Sequence, residues 1–356
     1  MFDLFRGSDG SGSESSWGSI AAAEPKPAMA TASSRALKVK IASTGFYAPP
    51  RVETAAELAP RIGCSEEWII QRTGVRERRI SEEPVEVMAA RAARAALQSG
   101  EAPDLIVNAS VSSRQLLPDT SVYIQNELGL EGIPSFSIHA SCLSFLLALQ
   151  NAAALVAAGA FRRVLVVSAE RGSFGRNMAE PESAALLGDG AAAAVLEPTP
   201  KGEASELAGF RMSTWPKGAA LTEVRGGGQM RSPDDPGTRP EDNLFAMDGP
   251  KVYKMALRRT PTLVRELLAE QGLGVDDIDW VVPHQASGPG LAMLPRLGFP
   301  AERTVNIVGQ YGNCVAASIP MALAHLAASG RLRRGQRVLL AGTGAGFSVA
   351  GAVLRW

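Results

Sequence analysis

Hydrophobic and polar positions along this chain fall into two alternating periods from Leu37 onward. LKVKIASTGFYAPP alternates as a strand does and runs into a Pro-rich loop, whereas SEEWIIQRTGV opens with a Ser/Glu helix-cap signature at Ser65. VEVMAARAARAALQSG repeats at helical spacing with Gly100 at its end, DLIVNASVSS reads as a buried strand, and TSVYIQNELGL predicts a helix stopped near Gly129. Strand and helix in alternation predict an α/β domain.

The stretch SFSIHASCLSFLLALQNAAALVAAG is the one around which the rest is organised. Phe136, Ile138 and Ala140 alternate with Ser137 and His139, predicting a strand, and Leu143 to Val156 is apolar on every helical face, predicting a helix buried all round. Residues 304–342 repeat this unit. TVNIVGQYGNC leads into VAASIPMALAHLAASG and then RLRRGQRVLLAG, as SFSIHASC leads into its own apolar helix and then FRRVLVVSAE. Cys142 and Asn313 fall at matching helix N-termini. Two such copies predict a duplicated α/β domain with pseudo-twofold symmetry, its two apolar helices packed against each other between sheets. The stretch between them changes character: GGGQMRSPDDPGTRPEDN, within roughly 198–249, predicts a loop-rich cap over a site or partner surface.

Composition narrows the class. The chain has 356 residues, 46% of them hydrophobic, enough for one large or two intimately packed domains. Lys+Arg and Asp+Glu both number 36, so net charge points to neither nucleic acid nor an anionic membrane. Cys64, Cys142 and Cys314 form an odd set without CxxC spacing, which argues for a reducing compartment and a cytoplasmic location over a disulfide frame or a structural zinc site. Residues 1–36 are rich in Gly, Ser, Ala and Pro and read as a flexible tail, with no secretory signal and with Met29 as a candidate second start.

Candidate chemistry centres on three side chains. A thiol at Cys142 meets the unpaired N–H groups and dipole of a helix N-terminus, which favour the thiolate, while apolar burial pushes its pKa the other way. Taken alone, a buried cysteine is a packing residue, and so are His325 in mid-helix and His139 in the strand before Cys142. His284 differs, because DIDWVVPHQASGPG places it just after a buried strand and before a Gly/Pro turn, where α/β folds carry functional side chains. Asn313 alone reads as a helix cap, and Cys314 beside it as core.

Cys142, the VPHQA around His284 and the YGNCVAASIP around Asn313 together resemble the β-ketoacyl-acyl-carrier-protein synthase III family of the thiolase fold. WIIQRTGVRERRI, LLGDGAAAAVLEP, MDGPKVYKMAL and the C-terminal GTGAGFSVAGAVLRW carry the resemblance in the family's order over nearly all of 37–356. The resemblance implies a five-layer αβαβα fold and a homodimer. It implies a Cys142–His284–Asn313 triad: the thiolate takes an acyl group, usually from acyl-coenzyme A, and an extender on the phosphopantetheine of an acyl carrier protein loses CO2 to give an enolate held by His284 and Asn313. The backbone N–H groups of Cys142 and Ala345 then form the oxyanion hole, and no metal or bound cofactor is implied. The family's coenzyme A and substrate contacts fall on Trp68, Arg72, Gly249 and Ser287, and its carrier-docking lysine on Lys254.

Several positions depart from the family pattern. Ser287, Gly288 and Pro289 stand where Asn and a basic residue are usual, Leu143 and Ser144 replace Ala-Gly after the nucleophile, and Ala345 replaces a glycine. Leu117, at a dimer-facing position often held by Phe, implies room for a longer or branched acyl chain. A specialised condensing enzyme of fatty-acid or polyketide biosynthesis is the leading expectation. An acyltransferase with an alcohol, amine or second acyl chain as acceptor, and a weakly active partner subunit of another ketosynthase, are the alternatives. The expected division is 37–200 for the half carrying Cys142, 201–249 for the connection and 250–356 for the half carrying His284 and Asn313.

Overall fold

A computed structural model describes residues 36–98 and 100–356. The expected tail lies outside them, save for Ala36. Five strands form the first sheet: β1 (Val39–Tyr47), β2 (Leu105–Asn108), β3 (Ser135–Ser137), β4 (Val164–Arg171) and β5 (Asp189–Pro198), in the order β1-β5-β4-β2-β3. Four form the second: β6 (Glu206–Thr214), β7 (Trp280–Pro283), β8 (Arg337–Gly344) and β9 (Ser348–Arg355), in the order β7-β8-β9-β6.

The pairing establishes the duplication. In the first sheet β2 runs parallel to β3 and β4, β4 antiparallel to β5, and β5 antiparallel to β1. In the second, β7 runs parallel to β8, β8 antiparallel to β9, and β9 antiparallel to β6. A parallel bridge from Val281 to Thr304 stands where β2 pairs with β3. The strand expected at TVNIV is therefore cut to a single bridge, and Val308–Tyr311 turns into a short helix. Glu206–Thr214, inside the stretch expected to be loop-rich, is a full strand, because its partner in β9 has no other neighbour on that side. The sheets meet at one edge, where Leu37 and Leu207 exchange backbone hydrogen bonds of 2.9 and 3.0 Å.

Helices α1 (Glu66–Thr73), α2 (Val85–Ala96), α3 (Thr120–Leu128), α4 (Ser144–Ala157), α5 (Gly249–Glu270), α6 (Gly288–Leu291), α7 (Val308–Tyr311) and α8 (Ser318–Ala328) complete the layers. Ser65 caps α1 by accepting from Trp68 N–H, and Gly129 ends α3 with φ 69°. Strand side chains alternate between faces, so Val164 and Val166 join the central core while Leu165 and Val167 join α2 outside. The central core takes Phe145 and Leu149 of α4, Met321 and Leu323 of α8, and inward residues of both sheets. Leu267 and Leu268 of α5 cover the outer face of the second sheet. Helix, sheet, helix, sheet and helix thus stack as five layers, in which each fully buried Val or Leu contributes about 1.5–3 kcal/mol. Helix α4 departs from its expected burial on all sides: Asn151 and Ala154 form an exposed stripe one turn apart. Among the described residues no helix is long and apolar enough to cross a membrane.

Candidate active site

Cys142 sits on a turn that the chain can make only by strain. Ser141 has φ 51°, in the left-handed region, and the turn is tied by Leu143 N–H to Ala140 O at 3.1 Å and Ser144 N–H to Ser141 O at 3.0 Å. The Ser144 hydroxyl accepts from Ala140 N–H at 2.9 Å and donates to Ser141 O at 2.7 Å. A serine at this position therefore braces the Cys142 turn. Leu143 fills space that two glycines of β8 leave open: a Cβ on Gly344 would lie 3.1 Å from Leu143 Cγ, and one on Gly342 would lie 2.7 Å from His284 Cβ. Gly342 and Gly344 share one face of β8, so their missing side chains let the cysteine turn and the histidine converge.

His284 follows β7, with its N–H on Ala341 O at 2.8 Å. The fully buried Gln285 locks this corner, donating to Pro283 O at 2.8 Å and Val305 O at 3.1 Å and accepting from Ile307 N–H at 2.9 Å. Asn313 is anchored by the first half of the chain: its N–H reaches Leu186 O at 2.8 Å, and its O accepts from Gly188 N–H at 3.1 Å. Its side-chain Oδ1 accepts from Val315 N–H at 2.9 Å, leaving Nδ2 in a long 3.4 Å contact with Ala286 O. The close approach depends on Gly188, where a Cβ would lie 2.2 Å from Tyr311 O. Among the described residues only Ser141, Val315 and Phe347 are non-glycines with positive φ, and each stands within two residues of Cys142, Asn313 or Ala345. Such strain costs of order 1–3 kcal/mol per residue and persists where the surroundings over-determine it.

Burial sets the electrostatics. It pushes the Cys142 thiol up to about 12, with the nearby Glu170 carboxylate acting the same way, against hydrogen bonds from the N–H groups of Ala345 and Cys142. The shift runs in the direction expected from apolar burial, although the Cys142 side chain is only partly covered. Burial also lowers His284 to about 4, and His284 Nδ1 is buried without a hydrogen-bond partner among the described residues. The resting pair is a neutral thiol and a neutral imidazole.

A cavity of about 500 Å³ reaches His284, Asn313 and Gly342. Its long wall is one face of α5, at Gly249, Val252, Tyr253, Ala256 and Thr260, about 16 Å of helix. Ser287 and Arg72 also line it. The Ser287 hydroxyl caps α6 by accepting from Gly290 N–H at 3.1 Å, and Arg72 donates twice to Glu182, at 2.8 and 2.5 Å. Trp68 lies one turn from Arg72 but packs half-buried against the cluster of Leu58, Ile62 and Ile69 instead of lining the cavity. Lys254 is exposed on α5, and Leu117 is 79% exposed on the loop before α3, away from the cavity wall. Cys314 packs in the core as expected, whereas His139 is exposed beyond the end of β3, and His325 is half-buried beside the Phe46 ring. Sequence reasoning passed over Gln285 and the buried Glu170. The signal for Glu170 was present: one carboxylate near the end of the apolar run VLVVSAE.

A duplicated five-layer fold with a cysteine at one central helix start, an asparagine at the other and a histidine between them defines a thiolase-fold acyltransferase. Residues 136–216 match the family described as 3-oxoacyl-[acyl-carrier-protein (ACP)] synthase III, and residues 268–356 match its C-terminal part. The β-ketoacyl-[acyl-carrier-protein] synthase III of Desulfitobacterium hafniense is 33% identical, across 90% of this chain and 98% of that protein. The structure of 3-oxoacyl-(acyl carrier protein) synthase III from Pseudomonas aeruginosa superposes with a TM-score of 0.82 at 32% identity, covering 90% of this chain and 98% of the other. A priming β-ketosynthase of a polyketide biosynthetic pathway gives 0.81 at 32% identity, covering 90% and 97%. The chain belongs to the β-ketoacyl-[acyl-carrier-protein] synthase III family and is a ketosynthase III-like condensing enzyme.

Proposed function

We propose that Cys142 carries the acyl group in a decarboxylative Claisen condensation, with His284 and Asn313 as the donors for the extender's enolate. The observation that carries this reading is that His284 and Asn313 line an apolar cavity together with Gly342, the strand position against which the Cys142 turn packs through Leu143. The Cys142 thiol attacks the carbonyl carbon of an acyl thioester, and its proton leaves with the departing thiol. The N–H groups of Cys142 and Ala345 face the oxyanion, a contribution of about 3–4 kcal/mol per donor in acyl transfer. A malonyl thioester then loses CO2, its carbanion attacks the acyl-Cys142 carbon, and the released Cys142 thiolate takes a proton from water. A neutral imidazole suits the donor role, since it presents an N–H without a buried charge.

The donor in this reading is acyl-coenzyme A, and the extender rides on the phosphopantetheine of an acyl carrier protein, entering past Arg72, Gly249 and Ser287. Lys254, exposed on the same helix as Gly249, serves carrier docking. The halves divide near residue 200, and the enzyme works in the cytoplasm. A homodimer is supported by the edge of the first sheet, where Val111, Leu116, Leu117, Val122 and Phe136 are all exposed around β3. Light scattering tests it, and an active monomer would sink it. The decisive experiment is intact-protein mass spectrometry with short, long, branched and aromatic acyl-coenzyme A donors and acyl carrier proteins. A mass gain on wild type and none on Cys142→Ala is expected; equal gain on both would end the reading.

A further inference from the structure

The cavity that reaches His284 and Asn313 carries formal charge at one place. Among the described residues that line it, Arg72 is the one cation and Glu182 the one anion, and every other side chain is neutral. The two come from different elements, Arg72 from the last turn of α1 and Glu182 from the single helical turn Pro181–Ala184. Arg72 Nε and Nη2 both donate to Glu182 Oε1, at 2.8 and 2.5 Å, so one oxygen fills this side of the guanidinium fork. Glu182 Oε2 faces the start of α5, 3.3 Å from where a Cβ on Gly249 would stand. A side chain at 249 would press on that carboxylate, and the glycine leaves it its place between α1 and α5.

The pair faces water as well as the cavity. Its side chains are 51% and 40% exposed, so solvent screens the attraction and the contact opens at little cost. A guanidinium fork fits phosphate as well as it fits carboxylate. Coenzyme A and phosphopantetheine handles bear their negative charge on phosphate, and pantetheine alone is neutral. With one cation in the cavity, a phosphate that comes to it must take Arg72 away from Glu182, and it then stands beside a carboxylate that has lost its partner. A neutral handle needs no such exchange and meets no repulsion.

We propose that Glu182 is a specificity-determining residue whose carboxylate holds Arg72 in place of a phosphate, so that the entrance selects against thioesters that bring phosphate charge to Arg72. Coenzyme A, with several phosphate groups, is opposed more than the single phosphodiester of a carrier-borne arm. The proposal rests on the reading that acyl thioesters reach Cys142 through this cavity, and deepens it by naming the charge of the handle that the entrance takes best.

The test uses the full chain as wild type, Glu182→Gln and the double variant Arg72→Gln, Glu182→Gln. One acyl group is supplied on coenzyme A and on pantetheine, and the rate of Cys142 mass gain against donor concentration gives kcat/KM for each. The readout is the ratio of the two, coenzyme A over pantetheine, which a variant that merely loosens the fold does not move, since both donors suffer alike. In Glu182→Gln the ratio rises about fivefold, the scale of one exposed charge pair, and in the double variant it falls back to the wild-type value or below. An unmoved or lowered ratio in Glu182→Gln, or a rise that survives the loss of Arg72, would overturn the proposal. If neither donor loads wild-type Cys142, the acyl-thioester reading fails instead, and titration calorimetry with coenzyme A itself decides the role of Glu182. Binding about fivefold tighter in Glu182→Gln than in wild type upholds that role, and equal binding ends it.

Discussion

The two copies of the repeated unit reach the same place in the fold by different means. The turn bearing Cys142 closes on itself: Ala140, Ser141 and the Ser144 hydroxyl supply its hydrogen bonds from within five residues. The turn bearing Asn313 is closed from outside, by Leu186 O and Gly188 N–H, both from the other half of the chain. The geometry of the Cys142 turn is thus a local property, whereas the geometry of the Asn313 amide exists only once the halves have docked. Duplication supplied two equivalent helix starts, and the second draws its supports from the first half of the chain.

The largest effect tests the first turn. Cys142→Ala removes the only nucleophile the reading allows, so acyl adducts seen by mass spectrometry should vanish. Asn313→Ala should leave acylation largely intact and slow extender decarboxylation about a hundredfold, as loss of one donor to a developing oxyanion does elsewhere; parallel loss of both steps would erase the distinction between the turns. The thiol's raised pKa gives a pH signature. With Cys142 pushed up to about 12, its thiolate fraction should climb about tenfold per pH unit and keep climbing past pH 9, where an ordinary thiol levels off. Iodoacetamide labelling followed by mass across pH 7–10 checks this, and a plateau near pH 9 would show that the helix N-terminus outweighs burial.

Smaller effects sharpen the contrast in support. Gly188→Ala drives a Cβ toward Tyr311 O, against backbone that cannot yield cheaply, and should cost about 3 kcal/mol in denaturant unfolding. Its surviving folded fraction should lose decarboxylation before acylation. Ser144→Ala should cost about 1 kcal/mol and slow acylation alone by a few fold, since only the local brace is lost. A larger effect of Ser144→Ala on decarboxylation than on acylation would contradict the local nature of the first turn.

Periodicity and spacing alone carried a long way. The alternation of strand and helix, the repeated unit, and the placing of Cys142 and Asn313 at equivalent helix starts all follow from local sequence, because period and capping residues act within one or two turns of chain. The place of His284 after a buried strand and before a Gly/Pro turn singled it out, and family motifs added Ala345. Three matters had no local signature. TVNIV has strand-like residues, yet it lies at a sheet edge where only Thr304 finds a partner, so pairing cut the strand to one bridge. Glu206–Thr214 sits in a loop-rich stretch, yet becomes a strand because β9 offers it a free edge. The protonation states at the centre were open in the sequence, since a helix N-terminus and apolar burial pull a thiol in opposite directions, and how far the thiol is desolvated depends on the packing of the folded chain around it. Sequence determines what is near in the chain. The supports of Asn313, drawn from Leu186 and Gly188, are about 125 positions away and come together only when the two sheets close on the central helices, which is why they are a property of the tertiary structure alone.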